Sequence, residues 1–327
     1  MSQTIVGIEP HGTVHDDKLD RPDHGDPMSD RPAASEAAQA FLAAERPEMP
    51  PLTDRTAWAY REVARADALE RADRAVARHP VEITETEIAS IPCTIVTPTA
   101  WDGAQEALYC FGGGYFSGSA REDLILAAPL AARSGLRITM VDYRLAPEHP
   151  YPAAIEDGLA VYRSLAQSTP LALIGESAGG NLALVLLQRA LAEDLPLPRR
   201  IALLSPWCDL TPAAASAHNA EGDDPTLTPE TIRAAVKIYA DGADPRDPDL
   251  SPVFADWPSN LPPVLMTTGE QDLLRDQVLD LAGRLRDAGN ACELNVHPHM
   301  WHVFEFYDEL PEADRSLREI AEFLRLT

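Results

Sequence analysis

The sequence predicts an α/β protein with a mostly parallel central sheet flanked by helices and a helical cap. From Val81 onward, short runs of aliphatic and β-branched residues alternate with longer Ala/Leu-rich segments of helical character, the pattern of parallel strands joined by crossover helices. Two glycine clusters, Gly112-Gly113-Gly114 and Gly175 to Gly180, each follow a strand-like run, and the carboxyl ends of strands are where reactive groups gather in open α/β sheets. A length of 327 residues with 45% hydrophobic content suffices for one large α/β unit plus a small cap. No internal repeat interrupts this reading.

Residues 1–30 are rich in Asp, His, Pro and Gly without an apolar stripe, so they are expected to be disordered or ordered only against the cap. Residues 31–79 read as N-terminal helices over 33–45 and 55–79, with Phe41, Leu42, Trp58, Val63 and Leu69 spaced for one face. The first part of the core, 80–205, is expected to carry strands over 81–88, 93–97, 107–110, 137–141, 171–174 and 201–204. An insertion over 206–256 is rich in Pro, Asp and Ala, with one good helix over 229–240. The second part of the core, 257–327, adds strands over 264–266 and 293–296, a helix over 273–287 and a closing helix.

Gly175-Glu176-Ser177-Ala178-Gly179-Gly180 places a serine between glycines where an apolar run gives way to a helical pattern, and it reads as a nucleophile elbow. A sharp strand-to-helix turn strains the serine backbone, and small neighbours let adjacent chain pass. The helix that follows adds free N–H groups and a positive dipole end beside the serine. A G-x-S-x-G match alone is weak, since a structural Gly/Ser turn gives the same letters. The upstream triplet strengthens it. Peptide N–H groups of Gly113, Gly114 and Ala178 are assigned as an oxyanion hole. A phosphate cradle is the competing reading of the glycines, but neither a Walker lysine nor G-x-G-x-x-G spacing is present.

A serine hydroxyl needs a base held by a carboxylate. Asp272 stands just past the expected strand 264–266, and His297, His299 and His302 follow the expected strand 293–296. The order Ser, Asp, His is that of the α/β-hydrolases. Asp276 competes with Asp272, although its place in the first turn of a helix suits dipole stabilisation better. His297 and His299 compete with His302, although they read as strand end and turn. Three close histidines also invite a zinc reading, but no acidic or cysteine partner accompanies them at ligand spacing, and no metal or cofactor is expected. His11, His15 and His24 among aspartates form a weaker metal candidate.

The chain resembles the hormone-sensitive-lipase-like (bacterial family IV) esterases of the α/β-hydrolase fold from about residue 107 to the end. The resemblance rests on the glycine triplet, Asp142-Tyr143-Arg144-Leu145-Ala146-Pro147-Glu148 with Tyr151-Pro152-Ala153-Ala154, the serine elbow, Ser205-Pro206-Trp207-Cys208-Asp209-Leu210, Asp272-Leu273-Leu274-Arg275-Asp276 and His302-Val303-Phe304. It implies Ser177 as nucleophile, His302 as general base and Asp272 as the acid that orients it. It also implies that residues 31–79 and 206–256 form the cap, with Phe41, Tyr115, Phe116, Trp207 and Trp301 as candidates for the pocket lining; a plain core role competes for each. Two positions depart from the family pattern. Phe111 stands where the family has a histidine that braces the oxyanion loop, and Glu176 where aspartate or threonine is usual. The segment around Arg144 reads as a loop fixed by ion pairing and the Pro147 turn.

A net charge of −25, with Lys18 and Lys237 the sole lysines, disfavours nucleic acid, anionic membranes and anionic substrates, and points to neutral esters. Cys93, Cys110, Cys208 and Cys292 lack metal or redox spacing and are expected to be reduced and buried. With no signal-peptide pattern and no long apolar run, the expectation is a cytoplasmic protein; the resemblance adds a homodimer. The function expected is that of a serine carboxylesterase on short- to medium-chain esters. A lactonase, carbamate hydrolase or amidase could use the same triad. From a different class, the plant gibberellin receptors resemble this family but lack the catalytic histidine, and His302 argues against such a receptor role.

Overall fold

The computed structural model describes residues 33–45, 49–167, 171–214 and 224–325. The segment 1–30, with His11, His15 and His24, lies outside them, as does part of the 206–256 insertion. Eight strands form one sheet in the order β1-β2-β4-β3-β5-β6-β7-β8. They are β1 (Val81–Ile88), β2 (Ile91–Pro98), β3 (Glu106–Cys110), β4 (Arg137–Val141), β5 (Leu171–Glu176), β6 (Ile201–Leu204), β7 (Val264–Gly269) and β8 (Cys292–His297). β1 and β2 form an antiparallel hairpin, and β2 meets β4 antiparallel. From β4 to β8 all pairs are parallel. All eight expected strands are present.

Burial explains the composition of each strand. β3, β5, β6 and β7 are buried along their whole length, as near-continuous apolar runs in a sheet covered on both faces should be. α3 (Leu124–Ser134) and α8 (Pro311–Leu324) cover one face of the sheet. α4 (Ala153–Ala166), α5 (Ser177–Ala192) and α7 (Arg275–Asp287) cover the other. Cys292 opens the outermost strand and is only half-buried, unlike Cys93, Cys110 and Cys208.

The remaining helices are α1 (Glu36–Ala43), α2 (Ala57–Arg78) and α6 (Pro229–Ala240). α6 follows a sound start signal: Thr228 caps it by accepting from the Thr231 N–H, with Pro229 in its first turn. The shared apolar face expected of the N-terminal helices does not form. Trp58 and Val63 are 66% and 44% exposed, because α2 packs through Ala57, Ala72 and Ala75, whose small side chains allow a close approach to α3. Phe41 and Leu42 join a separate cluster with Trp301 and Phe304.

Candidate active site

The elbow is tighter than its sequence predicts. β5 runs to Glu176 and α5 starts at Ser177, so Gly179 and Gly180 lie inside a helix despite glycine's poor propensity for one. Close approach explains it: a Cβ on Gly179 would stand 2.0 Å from the Cys110 carbonyl oxygen. Ser177 has φ +50, a strained conformation for a residue other than glycine. It lifts the hydroxyl above the sheet. Trp207, beyond β6, donates its backbone N–H to the Ser177 carbonyl at 2.9 Å, and the Asn181 amide donates to the carbonyls of Trp207 and Leu250. The loops on either side of the serine are thereby tied to its helix.

His302 Nε2 lies 2.9 Å from Ser177 Oγ, and Nδ1 lies 3.1 Å from Asp272 Oδ1. Asp272 is wholly buried and also accepts from the Thr268 hydroxyl and the Leu274 N–H. Burial alone pushes the Asp272 carboxyl up, but the field and hydrogen bond of His302, with the Ser205 hydroxyl and the Leu274 N–H, hold it below the usual carboxylate value. An ionised Asp272 accepts from Nδ1–H, which leaves Nε2 as the acceptor for the serine proton. For His302, burial pushes down, yet Asp272, Asp224 and Glu305 together bring the imidazole above its ordinary value.

Asp224 is a residue that the sequence reading missed. Its Oδ2 accepts from the N–H groups of His302 at 3.2 Å and Leu273 at 3.0 Å. Its Oδ1 accepts from the N–H groups of Thr226 and Leu227 and from the Thr226 hydroxyl. One carboxylate thus holds the histidine loop, the loop that carries Asp272 and the segment that leads into α6. Inside a Pro/Asp-rich stretch no local pattern distinguishes it; the pairing is made only in three dimensions. Val303, next to His302, has φ 44, an outlier for a β-branched residue, and its N–H donates to Ser205 Oγ at 3.2 Å.

Gly113 and Gly114 have φ +93 and +62, so the triplet turns through a region that glycine enters freely. Among the described residues, none accepts from the backbone N–H groups of Gly113 or Gly114. The Ala178 N–H belongs to the first turn of α5, where helical N–H groups have no intrahelical partner. Gly112, Gly113, Gly114, Ser177 and His302 line a cavity of about 300 Å³. Tyr60, Ala64 and Ala68 of α2 and Ile232 and Ala235 of α6 roof it.

Of the expected lining residues, Phe116 and Trp207 form part of the wall. Phe41, Tyr115 and Trp301 do not. Phe41 stacks on Trp301 with centroids 4.3 Å apart, in a cluster under α1. Tyr115 lies behind the glycine loop, stacked on Tyr239 and donating its hydroxyl to Asn181. All three pack against other aromatic rings instead. Asp276 pairs with Arg275 at the exposed start of α7. His297 is buried against Phe304 and brought down to about 4 by that burial. Arg144 bonds Asp157 and Glu156, while Arg61 of α2 reaches Glu148, and these pairs fix the loop after β4. No helix of the described residues is long and apolar enough to cross a membrane.

Comparison with known proteins identifies the family. The alpha/beta hydrolase fold family matches residues 107–306. An acetyl-hydrolase of Streptomyces hygroscopicus is 35% identical over 235 residues, which cover 70% of this chain and 78% of that protein. The crystal structure of EstE5 soaked with p-nitrophenyl butyrate is 30% identical, covers 88% of this chain and 96% of its own, and superposes with a TM-score of 0.76. A crystal structure of an esterase from the bacterial hormone-sensitive lipase family, also 30% identical, covers 88% of this chain and 94% of its own with a TM-score of 0.74. The fold, the serine elbow and these relatives lead to one assignment: the chain belongs to the hormone-sensitive-lipase-like esterases of the α/β-hydrolase fold.

Proposed function

We propose that the protein is a serine carboxylesterase that hydrolyses short- to medium-chain esters through Ser177, His302 and Asp272. The observation that carries this reading is the unbroken hydrogen-bond chain from Ser177 Oγ to His302 at 2.9 Å and on to Asp272 at 3.1 Å. His302 Nε2 takes the serine proton as Oγ attacks the ester carbonyl. The N–H groups of Gly113, Gly114 and Ala178 receive the oxyanion, and the protonated His302 returns its proton to the leaving alcohol. Water, deprotonated by the same imidazole, then attacks the acyl-enzyme, and the acid departs.

Pocket size supports a limit on the acyl group. About 300 Å³ is at the low end of ligand cavities, which run from about 300 to 1,000 Å³. The acetyl-hydrolase relative and the butyrate ester soaked into EstE5 point the same way. A net charge of −25 favours neutral substrates, and a cytoplasmic homodimer is the setting we assign, to be checked by sedimentation. The deciding experiment is hydrolysis of p-nitrophenyl esters from acetate to decanoate by wild type and Ser177→Ala. Turnover that peaks at a short or medium chain and drops by at least about 10⁴-fold in the variant is the expected result. No turnover above the variant on any ester would refute it, and activity on lactones, carbamates or amides alone would replace it.

A further inference from the structure

Resting on the acyl-transfer reading above, we propose that Glu176 and Asp123, two buried carboxyls that share a proton, brace the oxyanion loop where Phe111 replaces the family histidine. Phe111 cannot do this with its side chain. Its ring lies flat on Tyr143, centroids 4.2 Å apart, and only its carbonyl is held, by the Tyr143 hydroxyl at 2.6 Å. The next residue, Gly112, rests directly on Glu176: a Cβ there would stand 1.9 Å from Glu176 Oε1. The Gly112 N–H and the Asp123 carboxyl both lie close enough to the Glu176 carboxyl to act on it. Asp123 Oδ2 also accepts from the Tyr109 hydroxyl at 2.8 Å.

Two carboxyl groups bond each other only when one carries a proton, since a carboxylate has no donor. The arrangement that satisfies every atom puts the proton on Glu176. Its O–H donates to Asp123, and its carbonyl oxygen accepts from Gly112. Both residues are at most 4% exposed; burial and the field of Asp123 raise the Glu176 carboxyl, while burial and the neighbouring Glu122 raise Asp123, whose bonds from Tyr109 and Glu176 pull the other way, so the proton rests on Glu176. The charged groups around the pair are Glu122 before α3, Asp142 beyond β4 and Glu305 in the turn before α8. Tyr109 of β3 and Tyr143 also face it. On the pocket side, Arg65 lies near Glu122, and Arg71 pairs with Asp67 and Glu309. Because Glu176 precedes Ser177, one short segment fixes both the nucleophile and the loop that faces it.

The sign of the pH dependence follows. As pH rises past the point where the pair loses its shared proton, two anions are forced together and Gly112 loses its rest. Oxyanion stabilisation then falls although His302 is already neutral, so kcat declines on the alkaline side while the chain is still folded. The test follows ethyl butyrate hydrolysis by pH-stat from pH 6 to 10 for wild type, Glu176→Gln and Glu176→Ala, with thermal melting at each pH. Wild-type turnover that Ser177→Ala abolishes is established first; without it the esterase reading fails, whereas with it the Glu176 variants judge the brace alone. Glu176→Ala is expected to lower kcat by about 10- to 100-fold, with KM within about 3-fold. Glu176→Gln keeps a donor for Asp123 and an acceptor for Gly112, so it should rescue neutral-pH kcat and lack the alkaline decline. An alkaline decline in the Gln variant equal to wild type, or a wild-type profile flat to pH 10, overturns the proposal; the Gln variant decides even where Ala does not fold.

Discussion

In the mechanism we propose, His302 accepts the serine proton only while neutral, so the acidic limb of kcat/KM should report its titration. The surrounding carboxylates stabilise the imidazolium and place that limb above the ordinary imidazole value. Removing one of those charges must move the limb to lower pH. Asp224→Asn does so, and it also replaces an acceptor oxygen with an NH₂ that faces N–H or O–H donors whichever way the amide turns. We expect the acidic limb to shift down, kcat to fall by roughly 10-fold and stability to fall by about 1–3 kcal/mol; a pH–rate profile and urea denaturation read all three. Asp272→Asn should cost far more activity, about 10⁴-fold, because Nδ1 loses the anion that fixes its proton.

At the scale of elements, the elbow and α6 make separate predictions. Gly179→Ala drives a methyl into the Cys110 carbonyl at 2.0 Å, and overpacking of this kind costs about 1–3 kcal/mol or more, measurable as a lower urea midpoint. Ala235→Leu on α6 fills the roof of the cavity. It should lower kcat/KM for hexanoate relative to acetate by about 10-fold while leaving acetate near wild type. The strands, the elbow and the helix over 229–240 were legible because apolar runs, glycine placement and the Thr228-Pro229 start signal are local. The pocket wall was not. Whether Phe116 or Tyr115 faces the cavity depends on how the glycine loop turns, and Trp58 and Val63 ended outside because α2 packs through alanines. Asp224 and the pairing of Glu176 with Asp123 join residues distant in sequence, so no local pattern announces them.

For the whole molecule, the excess of acidic groups sets the response to salt. A net charge of −25 repels itself, and raising ionic strength from about 0.01 M to 0.1 M shortens the Debye length from about 30 Å to 10 Å. The melting temperature should therefore rise by roughly 2–4 °C across that range. Over the same range kcat/KM should climb for an ester bearing a carboxylate and stay level for ethyl butyrate, which stopped-flow or pH-stat rates would reveal. An anionic ester indifferent to salt would show that the field at the mouth of the pocket is neutral.

The short helix α1 bears on how the chain tolerates trimming. Ser35 bonds both carboxylate oxygens of Glu312 at 2.9 Å, and Phe41 sits against Trp301 and Tyr307, the first of them the immediate neighbour of His302. A protease cut or a deletion reaching past residue 35 would strip an aromatic support from the histidine loop and from Tyr307, which lines the cavity. Shortened versions made for crystallisation or industrial expression should therefore begin upstream of Ser35, or they will lose heat tolerance and turnover together.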